Sequence, residues 1–238
     1  FNDYFRNLKD KKKQKDIILA TLSNGQGLYW ANLYYHKGFS HREMRKTIYV
    51  ETENLIKKKN LDNKDVFFVN LGSCSGLDLL YFKNKFQNIN YISSDISEET
   101  INFQKNNTFK NIKNISYMKG SVENIISQVN QNYKNNPKLK FIFFCNAALQ
   151  YCIPDTMKEV FAEIKNFQNK LYLISSEEFR NENNKDASFH VKNILWHHNL
   201  KRYAENNNLK ISLNKILNSG DDNINQNQNI ICENNISE

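Results

Sequence analysis

The chain is poor in glycine and proline, with seven glycines and two prolines in 238 residues. This scarcity excludes collagen-like and Gly/Pro-rich low-complexity architectures, which need far more of both residues. Hydrophobic residues make up 39% of the chain and charged residues 24%, as in ordinary globular proteins. The length fits one α/β domain with an appendage and is short for two independent domains.

Cysteine pairs and long apolar runs are also missing. The four cysteines, Cys74, Cys145, Cys152 and Cys232, form no CxxC pair, and no histidine pair with metal-ligand spacing accompanies them. The sequence therefore predicts no metal site and no disulfide scaffold. No apolar run approaches the roughly 20 residues that span a bilayer. Reduced thiols without a membrane segment predict a cytoplasmic protein that has no membrane partner.

Positive charge is in excess, with a formal net charge of +8 and an isoelectric point near 9.1. Such a balance can indicate a polyanionic partner, because clustered lysines release counterions from phosphates. The lysines here are mostly scattered. The two tight runs, at residues 11–13 and 57–59, flank predicted helices and are interpreted as solvated helix ends.

A strand, a tight turn and a helix are predicted over residues 66–82. The β-branched and aromatic run Val66–Leu71 stops at Gly72-Ser73-Cys74-Ser75-Gly76, and an apolar helical pattern follows. A missing Cβ lets the backbone approach a ligand and tolerates positive φ. Asp95 ends a second apolar run 19 residues after Gly76, a position from which a carboxylate reaches the hydroxyls of a ribose. These features predict a site for a nucleotide-like ligand.

Apolar runs and amphipathic segments alternate from Val66 onward, in the rhythm of a parallel sheet with crossover helices. Strands are predicted near residues 66–71, 90–94, 115–118, 140–145, 170–175, 209–217 and 228–233. Helices are expected between the first six strands, and the turn-like residues 218–222 favour an antiparallel hairpin for the last two. The predicted fold is an α/β, Rossmann-like, doubly wound seven-stranded sheet, mostly parallel with a C-terminal antiparallel hairpin.

Residues 1–60 are predicted to form a helical N-terminal lid or appendage, and residues 61–238 the main domain. A turn is expected at residues 24–27 within the lid. Ser40 and Glu43 have the spacing of a capping box for a helix that runs to Lys59.

Two further helix starts are predicted inside the main domain. Ser97 is a candidate N-cap for a helix over residues 98–106. Asp155, directly after Pro154, is a candidate N-cap for a helix over residues 156–168.

Three segments after the first turn resemble class I S-adenosylmethionine-dependent methyltransferases. Asp95-Ile96-Ser97 resembles the segment that closes their second strand, and Lys119-Gly120-Ser121-Val122-Glu123 resembles the loop after their third. The run from Phe141 through Asn146-Ala147-Ala148-Leu149-Gln150 to Asp155 is similar to their fourth strand and its exit, in the form found in small-molecule methyltransferases such as the trans-aconitate type. The resemblance covers roughly residues 64–233.

The resemblance implies S-adenosyl-L-methionine as cofactor and a set of cofactor-binding residues. Asp95 would accept both ribose hydroxyls, Ser121 and Val122 would line the adenine pocket, and Asn146 would lie beside the amino group and the sulfonium. The full implied set is Asn70, Gly72, Ser73, Cys74, Gly76, Asp95, Ile96, Ser121, Val122, Asn146 and Ala147. Asn70 replaces an acidic residue of the family pattern, Cys74 a glycine and Ser121 an acid.

Substrate contacts are predicted in the lid and after the fourth and fifth strands. The candidates are Tyr35, Gln150, Tyr151, Glu178 and Arg180. The lid aromatics Tyr29, Trp30, Tyr34 and Tyr35 could close over the cofactor or clamp a substrate. For Trp30 and one of the tyrosines a core position is favoured, because aromatics at helical spacing usually pack in a core. Glu177, Glu178 and Arg180 follow the predicted fifth strand, and for these three residues a substrate contact and a solvated loop are both open.

An alcohol acceptor requires a base, and histidine is the natural candidate at neutral pH. His190, in the connection after the fifth strand, ranks first, and His36, in the lid, ranks second. A helix is predicted over residues 193–200, and on it the adjacent side chains of His197 and His198 point in different directions and do not act as a pair.

The preferred function is a methyltransferase that acts on a small molecule, at an oxygen of a sugar or of a phosphate-bearing metabolite. An RNA or nucleotide methyltransferase is the second hypothesis, motivated by the positive charge and the aromatic N-terminal segment. A non-catalytic cofactor-binding scaffold is the third, motivated by Asn70, Cys74 and Ser121.

Overall fold

The computed structural model describes residues 8, 10–37, 42–179, 187–190, 195–218 and 226–236. The N-terminal part is helical. Helix α1 spans Lys11–Thr21, a π-helical turn spans Leu22–Gln26, and helices α2 and α3 span Gly27–Lys37 and Arg42–Lys58. The turn predicted at residues 24–27 is the break between α1 and α2, where Gly25 has a φ of 93°. The predicted cap Ser40 lies outside the described residues.

The remaining elements alternate along the chain. In order they are β1 (Val66–Leu71), α4 (Leu77–Lys85), β2 (Asn90–Asp95), α5 (Glu98–Asn106), β3 (Ile115–Lys119), α6 (Val122–Tyr133), β4 (Lys140–Asn146), α7 (Pro154–Lys165), β5 (Lys170–Phe179), β6 (Ala187–His190), β7 (Leu195–His198), α8 (Leu200–Asn206), β8 (Lys210–Asn218) and β9 (Gln226–Glu233). A 3-10 turn, Leu149–Tyr151, lies between β4 and α7.

Seven strands form one sheet in the order β3-β2-β1-β4-β5-β9-β8. The first five strands are parallel, and β9 runs antiparallel between β5 and β8. The predicted fold class is confirmed, and so are its strands, with only small differences at their ends. The chain order reverses between β1 and β4, so the crevice at their carboxyl ends is the topological switch point, where ligands bind in open α/β sheets.

Alternating side chains of the central strands build a core on each face of the sheet. Val69 and Phe143 pack with buried residues of α6 and α7 on one face. Phe68 and Phe144 pack with buried residues of α3 and α4 on the other. Because both faces are covered, the strands read as nearly continuous apolar runs, which is why the sequence located them well.

The helix predicted over residues 193–200 is wrong. Leu195–His198 is strand β7, paired antiparallel with β6 in a separate two-stranded sheet, and only the short helix α8 follows. The run is apolar and aromatic but too short for a helical period to be distinguished from a buried strand.

The two predicted helix starts in the main domain have different outcomes. Ser97 caps α5 as predicted, with its side-chain oxygen 3.2 Å from the backbone N–H of Thr100. Asp155 is not a cap. Helix α7 begins two residues before the predicted start, at Pro154, because proline suits the first helical position where no N–H partner is needed. Within the described residues, no helix is both long enough and apolar enough to cross a membrane.

Candidate cofactor and acceptor site

A cavity of about 480 Å³ lies at the carboxyl ends of β1, β2 and β4. Small-molecule sites typically measure about 300–1,000 Å³, so the cavity is large enough for a ligand of nucleoside size. One wall comes from the turn after β1 and the ends of β2, β3 and β4. The opposite wall comes from α1, the π-helical turn and α2.

The turn after β1 contains three residues with left-handed backbone, Gly72 (φ 61°), Cys74 (φ 50°) and Gly76 (φ 77°). A Cβ on Gly72 would lie 2.5 Å from the Cβ of Ala148, and one on Gly76 would lie 2.7 Å from the ring of Phe109. The glycines are therefore required by packing inside the protein. The positive φ predicted for these glycines is confirmed, and Gly72 also lines the cavity.

Side chains from β2 and α5 hold this turn in place. The Ser73 hydroxyl accepts hydrogen bonds from Ser93 Oγ and Gln104 Nε2, both at 2.8 Å. Gln104 also donates to the Cys74 carbonyl at 2.6 Å, and Thr108 donates to the Ser75 carbonyl at 2.6 Å. Gln104 and Thr108 are buried, and no sequence pattern predicted their role. These hydrogen bonds hold the turn from the side of β2 and α5, and its other side faces the cavity.

Asp95 joins the turn after β1 to the turn after β2. One carboxylate oxygen accepts the backbone N–H of Cys74 at 3.0 Å, and the other accepts that of Ser97 at 3.0 Å. Burial raises the pKa of Asp95, and these backbone hydrogen bonds act in the opposite direction. Each carboxylate oxygen has two lone-pair sites, so the cavity-lining carboxylate can accept further hydrogen bonds from a ligand.

Most of the residues implied for the cofactor line the cavity. They are Gly72, Ser73, Cys74, Asp95, Ile96, Ser121, Val122, Asn146 and Ala147. The Ser121 hydroxyl is buried and has no hydrogen-bond partner among the described residues, so it is available to a ligand.

Asn70 and Gly76 are not among the described lining residues. Asn70 lies on the same face of β1 as Phe68, because side chains alternate along a strand. Its amide nitrogen is buried and has no hydrogen-bond partner among the residues that the structure describes. Gly76 is the N-cap of α4 and lies under Phe109.

Asp78 is a cavity residue that sequence reasoning missed. It lies in the first turn of α4, where an acidic side chain suits the positive helix end. Its carboxylate accepts hydrogen bonds from the Tyr49 hydroxyl and, at 3.2 Å, from Asn146 Nδ2. Asp78 thus places an acidic side chain on the cavity wall, directly after the turn of residues 72–76.

The N-terminal helices cover the cavity. Two ion pairs connect α1 to α6 and α7: Lys15 Nζ lies 2.7 Å from Glu123 Oε1, and Lys11 Nζ lies 2.6 Å from Asp155 Oδ2. The apolar lining from this part of the chain consists of Ile18, Leu19, Leu22, Trp30 and Tyr34.

Two aromatic residues of α2 differ from prediction. Trp30 lines the cavity and stacks on Tyr34 with ring centroids 5.9 Å apart, whereas a core position was expected. Tyr35 points away, with its ring edge-on to Phe103 of α5 at 5.5 Å, and is not among the described lining residues. A shift of one residue on a helix turns a side chain by about 100°, so composition alone could not distinguish Tyr34 from Tyr35.

Gln150, Tyr151 and Glu178 also line the cavity, as predicted for substrate contacts. Gln150 is 5% exposed, and its Oε1 has no hydrogen-bond partner among the described residues. Burial raises the pKa of Tyr151 to about 12, so its hydroxyl stays protonated at neutral pH. Arg180 lies outside the described residues.

The alternative of a solvated loop is wrong as to the loop, because β5 continues to Phe179, but Glu178 is exposed to solvent. Glu178 faces the cavity, and the preceding Glu177 is 1% exposed on the other side of the strand.

The histidines are arranged differently from the prediction. His36 is exposed near the end of α2 and is not a described lining residue. His190 is the last residue of strand β6, and the structure describes its backbone only. His197 is buried on β7, with Nε2 3.7 Å from Glu178 Oε2. His198 points elsewhere: its Nε2 lies 2.9 Å from the Cys152 carbonyl, and burial lowers its pKa to about 4.

All four cysteines are free thiols. Across the described part of the chain, no group of three or more His, Cys, Asp or Glu side chains is arranged to hold a metal ion.

The sheet order and the cavity at its switch point define the class I S-adenosylmethionine-dependent methyltransferase fold. The DszA carbon methyltransferase is similar over 93% of this chain and 61% of its own, with a TM-score of 0.61 and 11% identity. A Listeria monocytogenes protein described as an S-adenosylmethionine-dependent methyltransferase is similar over 74% of this chain and 93% of its own, with a TM-score of 0.52 and 13% identity.

Geranyl diphosphate C-methyltransferase from Streptomyces coelicolor A3(2), solved with Mg²⁺, geranyl diphosphate and S-adenosyl-L-homocysteine, is similar over 72% of this chain and 73% of its own, with a TM-score of 0.50 and 12% identity. At these identities the comparisons show the fold alone. No family model and no curated protein matches the sequence.

Proposed function

We propose that the protein is an S-adenosyl-L-methionine-dependent methyltransferase acting on a small molecule. The observation that carries the proposal is Asp95, a buried carboxylate at the switch point of a methyltransferase fold, held by two backbone N–H groups at the cavity wall. An acid in this position suits the vicinal hydroxyls of a ribose.

The cavity lining fits the parts of the proposed cofactor. Asp95 would accept the ribose hydroxyls, and the unpartnered hydroxyl of Ser121 would meet the adenine. Asp78 would provide the charge that favours the ammonium group, beside the turn of residues 72–76. When bound, S-adenosylmethionine supplies an electrophilic methyl group on a sulfonium.

The acceptor side offers hydrogen-bond acceptors within an apolar and aromatic wall. Gln150 Oε1 and the Glu178 carboxylate can both accept a hydrogen bond from a hydroxyl, which supports a hydroxyl-bearing acceptor such as a sugar. The cationic lining residue that the structure describes, Lys15, is ion-paired with Glu123. A phosphate-bearing acceptor therefore has less support from the described residues than an uncharged one.

Glu178 and His197 replace the histidines predicted as bases. An alcohol must lose its proton as it attacks a methyl group, and a group at the cavity wall must take that proton. Glu178 lines the cavity beside Tyr151, and His197 lies 3.7 Å behind it. We assign Glu178 as the proton acceptor and His197 as the residue that positions it.

Residues 1–60 act as a lid in this proposal. Support comes from the wall that α1 and α2 contribute to the cavity and from the ion pairs that connect α1 to α6 and α7. A ligand of cofactor size would therefore contact α1 and α2 as well as the edge of the sheet.

Isothermal titration calorimetry with S-adenosylmethionine and S-adenosylhomocysteine tests the proposal. Binding of both at a one-to-one ratio supports it, and absence of binding to either refutes it. A subsequent screen for transfer of labelled methyl groups would compare uncharged sugars, phosphorylated metabolites and RNA. Activity confined to RNA would refute the small-molecule acceptor. The net charge of +8 would then be expected to bind the RNA backbone outside the cavity.

A further inference from the structure

A buried carboxylate without a described cationic partner lies behind the acceptor side of the cavity. Glu177 is 1% exposed on β5, among the strands of the sheet. Its carboxylate is surrounded by neutral donors: Oε1 accepts from Ser175 Oγ at 3.0 Å and from Cys145 Sγ at 3.3 Å. A carboxyl group in the core is costly, so its presence there requires a reason.

The other carboxylate oxygen holds the loop that follows β4. Oε2 accepts the backbone N–H of Gln150 at 3.2 Å, and the backbone N–H of Leu149 also contributes to holding the carboxylate. These two residues begin the 3-10 turn Leu149–Tyr151. The first N–H groups of a helical turn have no partner within the turn, and a carboxylate at that end satisfies them.

The same turn presents the acceptor-side residues. Gln150 and Tyr151 both line the cavity, and Gln150 Oε1 is buried there with no hydrogen-bond partner in the described part of the chain. Glu177 itself is not among the described lining residues. It therefore acts on the cavity through the turn.

We propose that Glu177 is a positioning residue that holds the Leu149–Tyr151 turn by its ionised carboxylate and thereby fixes Gln150 and Tyr151 at the acceptor side of the cavity. The structural part of this proposal, the anchoring of the turn, is independent of the reaction. Its consequence for an acceptor rests on the proposed methyltransferase function.

The anchoring should depend on pH near neutrality, because burial raises the pKa of Glu177 to about 7. A protonated carboxyl group is a weaker acceptor for two N–H groups than a carboxylate. For local openings of the turn that leave Glu177 buried, the turn is therefore held most firmly above pH 7 and loosens as the pH falls.

Other titratable groups around Glu177 do not explain such a transition. On β4 and after the turn, burial raises the pKa of Cys145 and Cys152 well above neutrality, so both stay protonated. On β7, which packs against β5, His198 stays neutral, and His197 lies at Glu178 on the other side of β5. Gln228, opposite Glu177 on β9, does not titrate.

Hydrogen exchange of the backbone amides of residues 149–152 tests the anchoring in the free protein, with no ligand or turnover needed. After correction for intrinsic exchange, protection of the wild-type amides should rise about fivefold from pH 5.5 to pH 8.5. Glu177→Gln, which mimics the protonated acid, should remove the rise. Glu99→Gln, the same change on the exposed face of α5, should keep it.

A second variant keeps the test decisive if Glu177→Gln does not fold. Ser175→Ala removes a hydrogen bond to the charged form of Glu177, so the midpoint of the protection curve should move to higher pH. Flat protection in the wild type, or an unchanged midpoint in Ser175→Ala, overturns the proposal. Intact anchoring with no binding of S-adenosylmethionine would refute the proposed function alone.

Discussion

Asp95→Asn is the substitution that the proposed cofactor site predicts most sharply. Asp95 is 7% exposed, and each of its oxygens already accepts one backbone N–H at 3.0 Å. In the variant one oxygen becomes an NH₂ group that faces the N–H of Cys74 or Ser97, and the charge that strengthens every hydrogen bond to the site is lost. A hydrogen bond to a charged group is worth about 1.5–3 kcal/mol, against about 1 kcal/mol for a neutral one. We expect binding to weaken by about 1–3 kcal/mol, or roughly 5- to 150-fold in Kd.

Calorimetry with S-adenosylmethionine and S-adenosylhomocysteine measures this loss, and both ligands should lose similar affinity because they share the ribose. Asp62→Asn is the matched control, since Asp62 is an exposed acid that also accepts a backbone N–H, from Asn88 at 3.1 Å, and does not line the cavity. Thermal unfolding of the free variants shows whether Asp95→Asn remains folded. A folded Asp95→Asn protein with wild-type affinity would refute the assignment of Asp95 to the ribose.

Three other perturbations have expected outcomes. Because burial raises the pKa of Glu177 from 4.5 to about 7, the native state binds more protons than the unfolded state between these pH values. The free energy of unfolding of the wild type should therefore fall by about 3 kcal/mol as the pH rises through this window. Denaturant unfolding should show no such decline for Glu177→Gln. Glu123→Gln removes the ion pair with Lys15, and cofactor dissociation measured by stopped flow should become about two- to fivefold faster. Equal dissociation rates in the variant and the wild type would show that this ion pair does not hold α1 over the cavity. Gly76→Ala should lower the free energy of unfolding by about 2–5 kcal/mol, because its φ is 77° and the new Cβ would lie 2.7 Å from the ring of Phe109. Gly25→Ala should lower it less, because its φ is 93° but the space around it is open. Equal losses in the two variants would contradict the packing role of Gly76.

The strands of the main sheet and most of the cavity lining were predictable from sequence. Buried parallel strands appear in a sequence as apolar runs, and ligands of such sheets bind at the carboxyl ends of the strands. Asp95 and Ser121 followed from this pattern and from the family resemblance. Asp78 and Glu177 did not. Their roles depend on which side of a helix or strand packs against a neighbouring element, and that choice is made by tertiary contacts.

The errors have the same physical origin. His197 was placed on a helix because a four-residue buried strand has no distinguishable period. Tyr35 was preferred to Tyr34 because adjacent aromatics look alike until the helix is docked. Asn70 was assigned to the cofactor by its place in the motif, and the alternation of β1 directs its side chain into the core instead.

The most direct measurement is a crystal structure of the protein grown with saturating S-adenosylhomocysteine. The proposed site predicts the ligand in the cavity between the turn of residues 72–76 and α1, with its ribose hydroxyls on the Asp95 carboxylate and its adenine beside Ser121. A cavity without the ligand, or an adenosyl group bound away from Asp95, would contradict the proposed cofactor site.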